Sequence, residues 1–179
     1  SNPFFFLPVA AGLNQKYNSG SRFPPLFYKY LNKIIDFFIS KKYKIILKSR
    51  NKTPYPSIVK KKNTYYFEDI SFFPSCSFEL MYISDIVMNF NSSGSIEALY
   101  LEKPILNYEY NKNHGHVDLN NLLSDKCKSF ICFNDLSKLD ENFNKIISQD
   151  NKTIIRNFKK TYFVENGKKQ FLDFIIEVS

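Results

Sequence analysis

Short apolar segments alternate along this chain with segments in which apolar residues recur at helical spacing. Runs of about four to six apolar residues suit strands that are buried on both faces of a sheet. When such strands alternate with helices, they favour a parallel sheet covered by helices on both sides. The predicted strands are Phe4–Leu7, Lys44–Leu47, Asn63–Phe67, Ile86–Phe90, Pro104–Tyr108 and Phe130–Phe133.

The first predicted helix opens at the Pro24-Pro25 pair and carries Phe27, Tyr30, Leu31, Ile34 and Phe38 on one face. Further helices are predicted near 78–83, 95–101, 136–148, 152–162 and 170–178. The 179 residues, of which 44% are hydrophobic and 23% charged, suit one globular domain. We therefore expect a single α/β domain over residues 1–179, a Rossmann-like three-layer sandwich with a mostly parallel sheet and C-terminal helices from about residue 151.

A net charge of +8 favours anionic partners such as nucleotide phosphates or an anionic membrane surface. No nucleic-acid-binding motif is present in the sequence, so nucleic acid is not an expected partner. The lysine pairs and triplets are interpreted as solvated surface, with peripheral contact at the inner face of a membrane as the alternative. The odd number of cysteines, Cys76, Cys127 and Cys132, and the lack of a long apolar span predict a cytoplasmic protein with buried thiols.

Ligands of open parallel sheets bind beyond the carboxyl ends of the strands. Three loops would meet there: Asn14–Arg22, Lys48–Lys52 and Asn91–Ser95. In the third loop, Gly94 permits close backbone approach, and a helix start offers free N–H donors to a phosphate. The hydroxyls of Ser92, Ser93 and Ser95 are candidate phosphate ligands, and Glu97 is a candidate acceptor for ribose hydroxyls. The alternative is plain helix capping, with Gly94 as the cap and Glu97 reaching back to a backbone donor.

Two further groups are weaker candidates. Lys48 and Arg50 follow a predicted strand and could together bind a diphosphate, or form an ordinary basic loop. His114 and His116 could act in acid–base chemistry or contact a sugar, but a solvent-facing loop is favoured for them. No ligand pattern around these histidines supports a metal site, so no metal and no cofactor are expected.

The stretch Asp85-Ile-Val-Met-Asn-Phe-Asn-Ser-Ser-Gly-Ser-Ile-Glu-Ala-Leu-Tyr-Leu-Glu-Lys-Pro104 resembles the donor-binding segment of GT-B glycosyltransferases. The similarity is greatest to bacterial enzymes of capsule, lipopolysaccharide or teichoic-acid synthesis and to the related UDP-N-acetylglucosamine 2-epimerases. Many members have Gly where this chain has Glu102, a difference expected to affect the geometry of the helix end. The segments Ile45–Arg50 and Phe163–Ile175 resemble the family more loosely.

The resemblance implies one half of a GT-B fold that binds a nucleotide-sugar or CDP-alcohol donor for a transferase of surface carbohydrate. It implies a partner as well: an N-terminal acceptor domain or a separate acceptor-binding chain, which would also supply catalytic groups. Two alternatives stay open. One is an epimerase-like domain that uses His114, His116, Asp118 and Glu109; the other is a non-enzymatic module that binds a partner chain.

Overall fold

The computed structural model of the chain describes residues 4–9, 25–49, 64–67, 77–109 and 117–163. Over these ranges the chain is an α/β protein with parallel strands in a Rossmann-like arrangement, which confirms the predicted fold class. The strands are β1 (Phe4–Val9), β2 (Lys44–Ser49), β3 (Thr64–Phe67), β4 (Ile86–Asn89), β5 (Ile105–Tyr108) and β6 (Phe130–Phe133). The helices are α1 (Pro25–Ser40), α2 (Ser77–Tyr82), α3 (Gly94–Tyr100), α4 (Val117–Lys126), α5 (Leu139–Ile147) and α6 (Asn151–Tyr162).

The fold divides into two compact units between Met88 and Asn89. Four parallel strands pair in the order β3, β2, β1, β4, and all of their residues except Asn89, the last residue of β4, lie in the first unit. Strand β1 runs beside β2 from Phe4 opposite Lys44 to Val9 opposite Ser49. Whether the two units act as the single domain expected over residues 1–179 stays a prediction.

From residue 31 onward, helix α1 buries the apolar positions that its sequence predicts. Leu31, Ile34 and Phe38 are fully buried, as is Ile35 beside them, and the helix contacts β2. Helix α1 ends where Lys42 takes a left-handed conformation with φ of 65°. The N–H groups of Lys42 and Tyr43 donate back to the carbonyls of Ile39 and Phe38, at 2.9 Å each, so the last turn is closed by its own backbone.

The second unit contains the parallel pair β5 and β6 with helices α3 to α6. Helix α5 contacts both strands, α4 contacts β6, and α3 contacts β5 and α6. Each of these elements contributes at least one buried aliphatic or aromatic side chain to an apolar core. Its members include Leu99, Leu106, Leu123, Phe130, Phe143, Ile146 and Ile155.

Most predicted elements agree with the structure to within two residues, and three differences are informative. Helix α4 was not predicted at all. Strand β2 continues through Ser49, so Lys48 lies within a strand rather than in a loop after it. The helix predicted near 136–148 is a 3₁₀ turn, Leu136–Lys138, followed by α5. The helix predicted near 170–178 lies outside the described residues, whereas α6 begins at Asn151, close to the expected start of the C-terminal helices.

No helix within the described ranges is both long enough and apolar enough to cross a membrane.

Candidate functional site

The candidate phosphate-binding turn, Asn91–Ser95, follows the carboxyl end of β4 and leads directly into α3. Ser93 is the N-terminal cap residue of α3 and Gly94 is its first helical residue. Ser93 and Glu97 are exposed, and Ser92 and Gly94 are partly exposed. The turn therefore presents hydroxyl, amide and carboxylate groups to solvent within six consecutive residues.

The backbone donors at the start of α3 have acceptors inside the turn itself. The Gly94 N–H donates to Ser92 Oγ at 3.2 Å, and the Ser95 N–H donates to the Ser92 carbonyl at 3.4 Å. The Ile96 N–H donates to the Ser93 carbonyl at 3.0 Å. The first two distances lie at or beyond the long end of the usual range for N–H···O bonds. An anionic oxygen, which forms shorter and stronger bonds, would be a better acceptor for those two donors.

Ser95 differs from expectation in its burial, and Glu97 differs in its position within the helix. Ser95 is fully buried, and its hydroxyl donates to the Ser92 carbonyl at 3.0 Å, so this hydroxyl stabilises the turn. With Ser93 as the cap, Glu97 occupies the fourth helical position instead of the third. The Ser93 side chain makes no capping hydrogen bond, and the Gly94 N–H is taken by Ser92 Oγ, so the capping arrangement considered for Gly94 and Glu97 is not present.

Directly beneath this turn lies a feature that sequence reasoning missed, a buried asparagine cluster of Asn89, Asn91, Asn107 and Asn120. All four are at most 3% exposed, and all belong to the second unit. Asn89 Nδ2 donates to the Ser92 carbonyl and to Asn107 Oδ1, at 3.0 Å each, and to Asn120 Oδ1 at 3.1 Å. Buried carboxamides are costly unless they are hydrogen-bonded, and here they bond mainly to one another and to the turn.

Asn91 and Asn107 form a reciprocal pair. The Asn91 backbone N–H donates to Asn107 Oδ1, and Asn107 Nδ2 donates to Asn91 Oδ1, both at 2.9 Å. Asn91 has a φ of 52°, in the left-handed region that Asn tolerates better than most residues. The pair therefore stabilises the backbone reversal that takes the chain from β4 toward α3.

The contacts also fix the orientation of the Asn89 side chain. Its Nδ2 faces three oxygens, so the reversed amide would set an oxygen against three others. Asn89 Oδ1 consequently points elsewhere, and it is buried without a hydrogen-bond partner among the described residues. An unpaired buried acceptor of this kind costs about 1–3 kcal/mol of stability.

Cys132 on β6 extends the cluster. Its Sγ accepts from Asn107 Nδ2 and donates to the Asn120 carbonyl, at 3.4 Å each. The Cys132 N–H donates to Ser124 Oγ of α4. Burial raises the pKa of the Cys132 thiol to about 12, against the opposing effect of the Asn107 hydrogen bond and with a further rise from the nearby Glu109 charge. Cys132 is thus a neutral hydrogen-bonding group.

The remaining predicted residues are distributed as follows. Lys48 is buried within β2 and belongs to the first unit. Arg50, the loop Asn14–Arg22, and the histidines His114 and His116 lie outside the described residues. The placement of these residues in a donor site therefore stays a prediction.

Glu109 and Asp118 were considered for acid–base chemistry. Asp118 is exposed in the first turn of α4. Glu109 follows β5, and its N–H donates to the Phe133 carbonyl at 2.8 Å. Its Oε1 is buried without a hydrogen-bond partner among the described residues. Over those same ranges, no group of three or more His, Cys, Asp or Glu side chains is arranged to hold a metal ion.

Comparisons of the chain with protein families, with curated proteins and with solved structures found no match.

Proposed function

We propose that this chain is the donor-binding domain of a GT-B-type transferase that makes bacterial surface carbohydrate, with a nucleotide-sugar or a CDP-alcohol as donor. One observation carries the proposal: a Ser/Gly turn with exposed polar groups connects the carboxyl end of β4 to α3. Parallel α/β sheets bind ligands beyond that end of their strands. The resemblance of Asp85–Pro104 to GT-B donor segments supports the same turn.

In the proposed complex, the donor diphosphate lies over residues 92–94. Phosphate oxygens replace Ser92 Oγ as the acceptor of the Gly94 N–H and the Ser92 carbonyl as the acceptor of the Ser95 N–H. The exchange is favourable because charged acceptors form stronger hydrogen bonds. The hydroxyls of Ser92 and Ser93 donate to the same phosphate group. The Ser95 hydroxyl stabilises the turn from within and does not contact the ligand. Glu97, one turn into α3, accepts from the ribose hydroxyls.

These donors would stabilise the departing nucleoside diphosphate as negative charge grows on it, and the proposal includes no metal ion. The acceptor, and the group that activates it, would come from an N-terminal domain or from a separate chain. The proposal places the domain in the cytoplasm, with peripheral contact between its basic surface and the inner face of the membrane.

Calorimetric titration with UDP, GDP, CDP and CMP compounds tests donor binding. Wild-type protein is expected to bind at least one of them, and Glu97→Ala is expected to weaken that binding about tenfold through loss of the ribose contact. Glu141→Ala, which removes an exposed carboxylate of α5, is the matched control and should bind like wild type. Equal affinity of wild type and Glu97→Ala for every compound would refute the role of Glu97. Absence of binding across the panel would favour the non-enzymatic partner-binding module.

The epimerase alternative depends on one observation: Oε1 of Glu109, at the end of β5, is buried and has no hydrogen-bond partner in the described part of the chain. A carboxylate with a free oxygen near the ligand edge of a strand is a candidate acid or base. Product analysis with UDP-N-acetylglucosamine and no acceptor distinguishes the two functions. Epimerised product would support the alternative, and unchanged substrate would support the transferase domain.

A further inference from the structure

We propose that Asn107 is a positioning residue for the candidate phosphate-binding turn, Asn91–Ser95, and that it sets the shape of this turn from within the core. The consequence of this role for ligand binding rests on the proposed function. The shape of the turn itself can be measured without any ligand.

Asn107 lies in β5, is fully buried, and uses both ends of its carboxamide. Its Oδ1 accepts from the Asn91 N–H at 2.9 Å and from Asn89 Nδ2 at 3.0 Å. Its Nδ2 donates to Asn91 Oδ1 at 2.9 Å and to Cys132 Sγ at 3.4 Å. One side chain therefore bonds both asparagines that flank the end of β4.

Each of those two asparagines controls a different part of the turn. Asn91 carries the left-handed backbone at φ of 52°, and Asn107 bonds both its main chain and its side chain. Asn89 Nδ2 bonds the Ser92 carbonyl, which also accepts from the Ser95 hydroxyl and the Ser95 N–H. Loss of Asn107 would release Asn91 directly and would free Asn89 to move away from Ser92.

The cluster is poorly explained as a device for stability alone. Asn89 Oδ1 has no hydrogen-bond partner within the described ranges, and a partly satisfied buried network is less stable than well-packed apolar side chains. Buried polar networks can instead select one conformation over its alternatives. Here the cluster would select the conformation of residues 91–97, the turn and the first residues of α3, which carry the exposed Ser93 and Glu97.

Hydrogen–deuterium exchange, followed by mass spectrometry on the full chain, tests the inference. In Asn107→Ala, the backbone amides of residues 91–97 should exchange about tenfold faster than in wild type, because at least one buried hydrogen bond to the turn is lost. Amides of α5 and α6 should change by less than about twofold. The matched control is Ser129→Ala, which removes a fully buried hydroxyl that has no partner among the described residues. This control should leave residues 91–97 at wild-type exchange.

A second pair of variants decides the question if Asn107→Ala does not fold. Asn91→Asp keeps an oxygen for Asn107 Nδ2 and tolerates the left-handed backbone, whereas Asn91→Ala does neither. Faster exchange of the turn in Asn91→Ala than in Asn91→Asp supports the inference. Equal exchange in these two variants, or a uniform increase over the whole second unit in Asn107→Ala, overturns it.

Nucleotide titration of the same variants separates this inference from the proposed function. If wild type binds a nucleotide, folded Asn107→Ala should bind it about tenfold more weakly because the donors of the turn are no longer held in place. Wild-type affinity in Asn107→Ala would overturn the positioning role. If wild type binds none of the nucleotides, the proposed function fails, while the exchange result still decides whether Asn107 shapes the turn.

Discussion

At the scale of single residues, the two described cysteines illustrate how surroundings determine chemistry. Burial raises the pKa of the Cys127 thiol and raises that of Cys132 to about 12. The reactive form of cysteine is the thiolate, and a raised pKa makes it scarce at neutral pH. Both thiols are therefore part of the packing, and Cys132 is also a hydrogen-bond partner for Asn107 and the Asn120 carbonyl.

We expect neither of these thiols to react in the native protein. At pH 8, iodoacetamide should leave Cys127 and Cys132 unmodified over the time in which both react fully in urea, because their raised pKa values keep both thiols protonated. The experiment uses a Cys76→Ser background, since Cys76 lies outside the described residues, and peptide mass spectrometry locates the label. Rapid labelling of Cys132 under native conditions would contradict this account of its environment.

The same scale shows what the sequence could not reveal. Asn89 and Asn107 each stand at or near the end of an apolar strand, and a single polar residue there is normally assigned to an exposed edge. Asn89 is buried because it can bond to Asn107 and Asn120, which lie 18 and 31 positions further along the chain. Periodicity describes only local spacing, so it cannot detect such a network. A usable signal was the repetition of asparagine near the carboxyl ends of two successive strands.

At the scale of elements, the unpredicted helix α4 has a related cause. Its buried positions include Asn120 and Leu123, so the face that packs inward is not a continuous apolar stripe. Two asparagines, a serine and two aspartates within the helix also lower its intrinsic propensity. The sequence predicts helix α1, by contrast, because its apolar positions recur every three or four residues. The hydrogen bonds that replace apolar contacts in α4 are not encoded in local hydrophobicity.

Two helices end in the same way without glycine. Glu102 follows α3 with φ of 61°, and its N–H and that of Lys103 donate to the carbonyls of Leu99 and Ala98. This repeats the arrangement at Lys42 after α1, and both positions are ones that usually hold glycine. Glu102 differs in having partners on α6: Arg156 Nε lies at 3.0 Å and Lys159 Nζ at 3.4 Å from its carboxylate.

Glycine substitutions at these two positions should therefore have different effects. Lys42→Gly removes the cost of a left-handed conformation at a residue with a side chain, which is about 1–2 kcal/mol. Against this gain, glycine makes the unfolded chain more flexible, which costs about 0.4–1 kcal/mol of stability. Glu102→Gly gains the same but loses partly exposed ion pairs worth about 0.2–1 kcal/mol. Urea unfolding should show Lys42→Gly stabilised and Glu102→Gly close to wild type. Arg156→Ala, which breaks one ion pair and leaves the backbone at residue 102 unchanged, is expected to be slightly less stable than wild type. If Glu102→Gly were stabilised as much as Lys42→Gly, the ion pairs would contribute nothing to stability.

At the scale of the whole molecule, charge is the dominant feature. The net charge of +8 at pH 7 becomes more positive as carboxylates are protonated. Among the described residues of the second unit, three carboxyl groups have lowered pKa values. The Ser137 hydroxyl and N–H lower that of Asp135, and the Thr153 hydroxyl and N–H lower that of Asp150. For Glu102, partial burial opposes ionisation, but the hydrogen bonds and charges of Arg156 and Lys159 outweigh it and lower the pKa.

A lowered pKa in the folded state fixes the sign of the pH dependence. Such a group stabilises the fold fully above its unfolded pKa, which is about 4 for these carboxyls, and the stabilisation is lost as the pH falls through the lower folded value. Growing positive charge adds self-repulsion over the same interval. We therefore expect the urea midpoint of the whole chain to be nearly constant from pH 7 to about pH 5 and to fall steeply below about pH 4.

Substitution of Asp150 isolates one part of this acid response. The Asp150 carboxylate accepts from the Thr153 N–H at 3.2 Å and caps α6. Asn at this position still caps a helix but cannot be protonated, whereas Ala cannot cap the helix. Asp150→Asn should therefore lose less stability than wild type between pH 7 and pH 3, and Asp150→Ala should already be weaker at pH 7. Glu141→Gln removes an exposed carboxylate that is not the cap of α5, and it should keep the wild-type slope. If Asp150→Asn and wild type lost the same stability on acidification, the cap of α6 would not contribute to the acid sensitivity, and repulsion among the positive charges would be the better explanation.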